Sequence, residues 1–144
     1  MKKAVLLLVI LSTFQGFSQT WKTSLEEAEK EATTKDKHIL LVFSGSDWCG
    51  PCIKLDKTVW QSEEFKRDQK NWVLLKADFP KKKANQLSPE LTKSNNDLAE
   101  KYNKEGVFPL VVLLDAKGKV IAMTSYENIT PELYIENLHE LDKR

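Results

Sequence analysis

Apolar residues in this chain gather into short continuous runs that are separated by polar and turn-forming residues. Four of these runs predict β-strands, at residues 38–43, 72–78, 110–114 and 120–124. The first run is rich in branched residues and does not alternate, which is typical of a strand buried on both faces of a parallel sheet. Between the last two runs, Gly118 can supply the positive φ of a tight turn, so we predict an antiparallel hairpin there.

Helix-start signals occupy the segments between the runs. The predicted starts are, in chain order, at Ser24 with Glu27 as a capping box, at the segment from Cys49 to Cys52, at Ser88, at Asn96 and at Thr130. The first helix should cover about residues 23–37. After Cys52 the apolar spacing fits one helix imperfectly and puts Trp60 and Phe65 in the core. Gly106 is the predicted C-cap of the helix before the third strand. This order predicts an α/β fold with a mixed central sheet of about four strands flanked by helices.

The first 18 residues have the layout of a secretory signal peptide. Two lysines follow Met1, residues 4–11 are all apolar, and Gly16 and Ser18 place small residues before a cut at Gln19. The apolar run is shorter than the roughly 20 residues of a membrane span. We therefore predict a signal peptide at 1–18 and one domain at 19–144, with a retained core or anchor helix as the alternative. The expected location is the periplasm, with secretion as the second choice, and no membrane anchor is expected after processing.

Charge adds little to this picture. Lys and Arg number 22 against 21 Asp and Glu, so the composition gives no reason to expect a nucleic-acid partner. The run of Lys81, Lys82 and Lys83 is interpreted as a solvated surface segment, with a docking patch for an acidic partner as the alternative.

Both cysteines of the chain lie in one motif, with Gly50 and Pro51 between them. Gly50 permits a tight turn, and Pro51 has the φ value of a first helical turn, so the motif should open a helix. The thiol nearer the helix start has its thiolate stabilised by free backbone N–H groups and the helix dipole. Cys49 is therefore the predicted nucleophile, Cys52 the predicted resolving thiol, and the two form the predicted redox-active disulfide.

A zinc site and a static disulfide are the alternatives to redox chemistry. A Cys-x-x-Cys zinc site needs two more ligands, and the chain offers only His38 and His139, which are far apart and not at ligand spacing. His38 is interpreted as a solvent-facing strand start instead. A static disulfide over so short a loop would stabilise the fold little. No metal and no cofactor are predicted.

The sequence Trp48-Cys49-Gly50-Pro51-Cys52 resembles the active-site motif of the thioredoxin family residue for residue. The resemblance extends to Phe108-Pro109 ahead of the third strand and covers about residues 21–144. It implies a thioredoxin-like fold and a protein-disulfide oxidoreductase. It also implies that Trp48, Gly50, Pro51, Phe108 and Pro109 form the substrate-binding surface, with Pro109 in cis against the two sulfurs and the backbone beside Phe108 pairing with the bound polypeptide.

Partners follow from the same resemblance and from export. Proteins carrying disulfides or dithiols are the expected substrates, and a redox partner must reset the cysteine pair, because an exported dithiol meets an oxidising compartment. The direction of exchange stays open. A client-binding or chaperone-like module that makes little use of the cysteines is the alternative function.

Two features depart from the family pattern. Phe43 stands where the family has a buried aspartate that accepts the proton of the resolving thiol, so the proton should go to solvent or to a substitute such as Lys76 or Asp78. The connection after the second strand is longer than in thioredoxins, so residues 79–95 are interpreted as an insertion that shapes the partner surface.

Overall fold

A computed structural model describes residues 18–143, so residues 1–17 of the predicted signal peptide lie outside the described part of the chain. Its helices and strands are α1 Leu25–Lys35, β1 His38–Ser44, α2 Gly50–Leu55 with a π-helical continuation Asp56–Trp60, α3 Glu63–Asp68, β2 Trp72–Asp78, α4 Pro89–Tyr102, β3 Leu110–Leu114, β4 Val120–Thr124 and α5 Pro131–Asp142. Within residues 18–143, no helix is both long and apolar enough to cross a bilayer.

The strands form one mixed sheet in the order β2-β1-β3-β4, which confirms the predicted α/β fold. β1 and β2 are parallel and in register from His38 opposite Trp72 to Ser44 opposite Asp78. β3 runs antiparallel to both β1 and β4. Because β1 and β2 end side by side, the segments that leave their carboxyl ends meet at the same edge of the sheet.

Both faces of the sheet are covered, as the continuous apolar strands predict. Helices α1 and α4 cover one face, where Phe43 and Leu75 are completely buried. The segment from α2 to α3 and helix α5 cover the other, where Trp60, Phe65 and Tyr134 are buried. Burial of these large side chains supplies most of the driving force for folding.

The predicted caps explain where three helices begin. Ser24, Ser88 and Thr130 each accept the backbone N–H three residues later, which satisfies one of the free donors of a first turn. The hairpin turn is also as predicted, with Gly118 at a φ of 75°.

Three local predictions are wrong. The helix after Cys52 is not continuous: after the π-helical turn the chain breaks at Gln61, and the Ser62 side chain caps a new helix, which explains the imperfect apolar spacing. Asn96 starts no helix, because α4 already begins after Ser88 and passes through it. Gly106 is not the C-cap.

The residue that caps the end of α4 is Asn103. Its backbone N–H bonds to the carbonyl of Ala99, and its side chain bonds to both the N–H and the carbonyl of Val107. The amide side chain thus closes the loop that follows α4, and Gly106 takes its φ of 66° inside that loop.

Candidate active site

Cys49 and Cys52 are joined by a disulfide, with their Cα atoms 5.2 Å apart, at the start of α2. Cys49 is the N-cap residue, and its Sγ accepts the backbone N–H of Cys52 at 3.3 Å, the position that a capping oxygen usually takes. The sulfur of Cys49 therefore lies at the positive end of a helix that continues without a break through Trp60. A negative charge on this sulfur is stabilised by that N–H and by the helix dipole.

Cys52 lies one turn further into the helix and is only 2% exposed, against 5% for Cys49. Its Sγ accepts the backbone N–H of Gly45 at 3.4 Å. The two sulfurs differ little in exposure, so their positions relative to the helix start, and not their burial, distinguish their chemistry.

The motif loop, residues 44–48, is bonded to the end of β2. The carboxylate of Asp78 accepts both the backbone N–H of Ser46, at 3.0 Å, and its hydroxyl, at 2.6 Å. The backbone N–H of Phe79 donates to the Ser44 carbonyl at 2.9 Å. These bonds follow from the register that places Ser44 opposite Asp78.

Asp47 ties the motif loop to the segment that follows, residues 79–88, which we call the lysine loop. Its carboxylate accepts the backbone N–H groups of Lys81 and Lys82 and the side-chain amide of Asn85, each at 2.9 Å. The hydrogen bond from Lys81, and after it that from Asn85, holds the pKa of Asp47 below its ordinary value. The lysine loop is thus fastened two residues ahead of Cys49.

Trp48 is held from four sides while its side chain stays partly exposed. Its indole N–H donates to the Phe79 carbonyl at 2.7 Å, and its ring packs edge-to-face on Phe108 at 5.5 Å. The Lys81 ammonium lies 3.8 Å from the ring centroid, and the ring passes so close to Gly45 that a Cβ there would overlap it. These contacts position the aromatic neighbour of Cys49.

The loop before β3 brings Phe108 and Pro109, two more of the predicted substrate-binding residues, to the same edge of the sheet. The Phe108–Pro109 peptide bond is cis, as the resemblance implies. Phe108 packs against both Trp48 and Phe79, and Leu110, the next residue after Pro109, pairs with Phe43 at the end of β1. Gly50 and Pro51 are exposed at the start of α2.

Phe43 and the two candidate proton acceptors, Lys76 and Asp78, have different surroundings. Phe43 is completely buried on the face covered by α1 and α4, where its ring stacks on Phe79. The Lys76 ammonium lies 4.5 Å from the Trp21 ring centroid and 3.7 Å from the Asp56 carboxylate. Of the two proposed substitutes, only Asp78 bonds to the motif loop.

Both histidines bind aspartates rather than one another. His38 bonds to Asp142 and His139 to Asp68, each at 2.7 Å. His38 starts β1, at the end of the sheet opposite Cys49. In residues 18–143, no group of three or more His, Cys, Asp and Glu side chains is arranged to hold a metal ion.

Sequence reasoning missed Asp47 and Asn95. Asp47 is the only charged residue of the motif loop, and this is the only sequence signal that could have identified it as functional. Asn95 is buried on α4, and its side-chain amide donates to the backbone carbonyl of Asp78 at 2.8 Å. This bond ties α4 to the end of β2. The sequence signal for Asn95 is a polar residue on the apolar face of an amphipathic helix.

Comparisons with known proteins agree with this geometry. A family model described as Thioredoxin-like matches residues 20–116. The chain is 37% identical over 105 residues to "Disulfide bond reductase DsbH" of Chlamydia pneumoniae, covering 72% of this chain and 61% of that protein. It is 28% identical over 114 residues to "Thioredoxin-related protein DsbJ" of the same organism, covering 78% of this chain and 32% of that one. The chain thus spans less than two thirds of either relative.

Solved structures extend the comparison. A structure titled "DsbH Oxidoreductase" superimposes with a TM-score of 0.79 and 33% identity, covering 88% of this chain and 85% of that one. A thioredoxin from Thermus thermophilus superimposes with a TM-score of 0.61, covering 87% of this chain and 88% of that one, and at 16% identity it is similar in fold alone.

Proposed function

The chain belongs to the thioredoxin-like family, and from that premise we propose that it is a thiol–disulfide oxidoreductase acting on protein substrates through Cys49 and Cys52. One observation carries the proposal: the Cys49 sulfur occupies the N-cap position of α2 and is bonded to Cys52, the only other cysteine. An N-cap sulfur is the place where a helix best stabilises a thiolate.

The proposed reaction starts from the reduced pair. The Cys49 thiolate attacks one sulfur of a substrate disulfide, that bond breaks, and the leaving sulfur takes up a proton. Cys52 then loses its proton and attacks the Cys49 sulfur of the mixed disulfide. The second substrate sulfur leaves as a thiol, so the substrate gains two electrons and two protons and Cys49–Cys52 becomes oxidised. The Gly45 N–H that contacts Cys52 would stabilise its developing thiolate.

Asp78 is the proposed acceptor of the Cys52 proton. Its carboxylate is fixed by Ser46, whose neighbour Gly45 donates to the Cys52 sulfur. No phenyl ring can accept a proton, so Phe43 cannot take this part, and Lys76 is engaged elsewhere. The transfer would pass from Cys52 to Asp78 directly or through one water.

The proposed substrate surface consists of Trp48, Gly50, Pro51, Phe108 and Pro109. Trp48 and Phe108 form a continuous aromatic rim beside the disulfide, and Val107 is 43% exposed next to them. An extended polypeptide lying here would place apolar side chains on the rim and hydrogen-bond to the backbone beside Phe108.

Reduction of substrate disulfides is the proposed direction. The relative that is 37% identical is named a disulfide bond reductase, and the Gly-Pro pair between the cysteines resembles reducing thioredoxins. A dithiol redox partner must then return Cys49–Cys52 to the reduced state after each turnover. The equilibrium potential of the pair against glutathione tests the direction, and a value more oxidising than the glutathione couple would contradict it.

Export is proposed from the basic and apolar pattern of the first 18 residues, with the mature chain starting at Gln19. In the folded domain, the Gln19 side chain donates to the Trp60 carbonyl, so the proposed new terminus is packed against the core. Mass spectrometry of the protein from its native host should find Gln19 as the first residue, and a chain that keeps Met1 to Ser18 would overturn the proposal.

Two cysteine variants test the reaction. In an insulin-reduction assay with a chemical reductant, Cys49→Ser should lose all turnover. Cys52→Ser that is first reduced, freed of reductant and then mixed with insulin should accumulate a mixed disulfide visible on a non-reducing gel. Trapping by Cys49→Ser together with an inert Cys52→Ser would reverse the two roles. A wild-type protein that binds reduced client chains but never turns over insulin would favour the client-binding function instead.

A further inference from the structure

The lysine loop concentrates positive charge beside the reactive disulfide. Residues 79–88 contain Lys81, Lys82 and Lys83 and no acidic residue, in a chain whose net charge is only +1. All three lysines are exposed. In the described part of the chain, the ion pairs involve other basic residues, and none of these three lysines pairs with a carboxylate within 4.0 Å.

Backbone hydrogen bonds, rather than the lysine side chains, hold this loop in place. The Asp47 carboxylate binds the N–H groups of Lys81 and Lys82, and a 3-10 turn at Lys83–Asn85 brings the Asn85 amide to the same carboxylate. Asp47 binds N–H groups and none of the three ammonium groups, and Asp78 binds the neighbouring Ser46. Three lysines beside these two carboxylates leave a local excess of positive charge. The Lys82 and Lys83 side chains stay free to meet a partner.

The positive charge borders the aromatic rim. The Lys81 ammonium lies over the Trp48 ring, and Trp48, which is 38% exposed, precedes Cys49 in the chain. A polypeptide that brings its disulfide to Cys49 therefore places residues near its own cysteine beside the lysine loop.

We propose that the lysine loop is a docking surface for acidic residues that flank the reactive cysteine of the polypeptide substrate. The inference rests on the proposed function and names the substrate class that this site prefers. Exposed ammonium groups act on charges that come within about the Debye length, about 8 Å at physiological salt, so they favour acidic segments and disfavour basic ones. The effect should be strongest in kcat/KM, because complementary charges raise the rate of productive encounter.

Three disulfide peptides of equal length test the proposal, with acidic, neutral or basic residues flanking the cysteine. At about 20 mM salt the wild-type protein should reduce the acidic peptide about tenfold faster than the basic one in kcat/KM, and at about 0.5 M salt the ratio should fall to about two. Equal rates for all three peptides at low salt would overturn the proposal while leaving the oxidoreductase function intact.

Two double variants locate the effect. Lys82→Gln with Lys83→Gln keeps the backbone N–H groups that bind Asp47 and leaves Lys81 on Trp48, and it should lower the acidic-to-basic ratio to about two or three. Lys82→Glu with Lys83→Glu should invert the ratio. A ratio unchanged in both variants would overturn the proposal.

The chain offers a matched control in the hairpin turn. Lys117 and Lys119 are also exposed, and their backbone N–H groups also bind one carboxylate, that of Asp115. This turn follows β3 and lies at the opposite end of the sheet from Cys49. Lys117→Gln with Lys119→Gln changes net charge equally and should keep the wild-type ratio. An equal loss in the control would assign the preference to net charge and overturn a docking role for the lysine loop.

A binding measurement separates this inference from the proposed reaction. Peptides with serine in place of cysteine cannot exchange, and their affinity is read from Trp48 indole shifts in NMR spectra. Tighter binding of the acidic than of the basic peptide would support the docking surface even if no peptide were reduced. Equal binding of the two would overturn it.

Discussion

A methyl group at Gly45 should displace Trp48 from its position beside Cys49. A Cβ built on Gly45 would lie 2.6 Å from Cζ2 and 2.7 Å from Nε1 of the Trp48 indole, whereas ordinary contact begins at 3.4 Å. The ring in Gly45→Ala must therefore move by roughly 1 Å, since the backbone of Gly45 is fixed by its N–H contact with the Cys52 sulfur.

The cost can be worked from the contacts that this movement breaks. The 2.7 Å bond from the indole N–H to the Phe79 carbonyl is worth about 1 kcal/mol. The edge-to-face contact with Phe108 adds about 0.5–1.5 kcal/mol. Alanine in place of glycine lowers the conformational entropy of the unfolded chain, which by itself stabilises the folded protein by about 0.5 kcal/mol. We expect Gly45→Ala to lower the free energy of unfolding by about 1–2 kcal/mol.

The assay is urea denaturation of the oxidised protein, with hydrogen exchange of the Trp48 indole N–H measured in parallel by NMR. Gly50→Ala is the matched control, because nothing lies within 4 Å of a Cβ built on Gly50, and its stability should stay within about 0.5 kcal/mol of wild type. In Gly45→Ala the indole N–H should exchange faster. Wild-type stability and wild-type protection of that N–H in Gly45→Ala would refute the reasoning.

Three further predictions concern aspartates. The pKa of Asp47 is lowered, so its carboxylate stays ionised and keeps its bonds to the lysine loop down to pH values below the ordinary pKa of 3.8. Protection of the bound backbone amides from hydrogen exchange should therefore be lost only below pH 3.8. In Asp47→Asn this pH dependence should be absent. Asp68→Ala removes bonds to the Trp72 indole and His139 and should cost about 2–3 kcal/mol in urea denaturation. Asp78→Asn should slow resolution of the mixed disulfide about tenfold or more at neutral pH in rapid-mixing experiments, and an unchanged pH profile would exclude Asp78 as the proton acceptor.

The sheet could be predicted from sequence because its strands are continuous apolar runs bounded by turn residues. The starts of α1, α4 and α5 could be predicted because each depends on one local side chain that accepts a nearby N–H. The break at Gln61 was missed because the π-helical turn before it carries no distinct residue pattern, although Ser62 caps α3 in the same way as the other caps. Gly106 misled the prediction because Asn103 closes the loop through its side chain, which a Gly-based rule does not consider.

The cysteine pair and the cis peptide bond at Pro109 were both expected from a short motif and from the resemblance that it carries. The attachment of the lysine loop was not. Asp47 binds N–H groups that lie 34 and 35 positions away in the chain, and backbone donors carry no residue signature. Such a contact becomes predictable only when the register of β1 and β2 is known.

That register also explains why the lysine loop and the motif loop are neighbours. Parallel strands that end side by side, here at Ser44 and Asp78, send their following segments to the same edge of the sheet, which is where α/β folds place their chemistry. The lysine loop therefore adds to the surface at the edge that carries Cys49, while its first residue, Phe79, packs against the core beside Phe43. Two of the three bonds to Asp47 come from backbone N–H groups, so the lysine side chains can change without loss of that anchor. Under the docking role that we propose, the β2–α4 connection is therefore the part of this fold in which substrate preference can vary independently of the thiol chemistry.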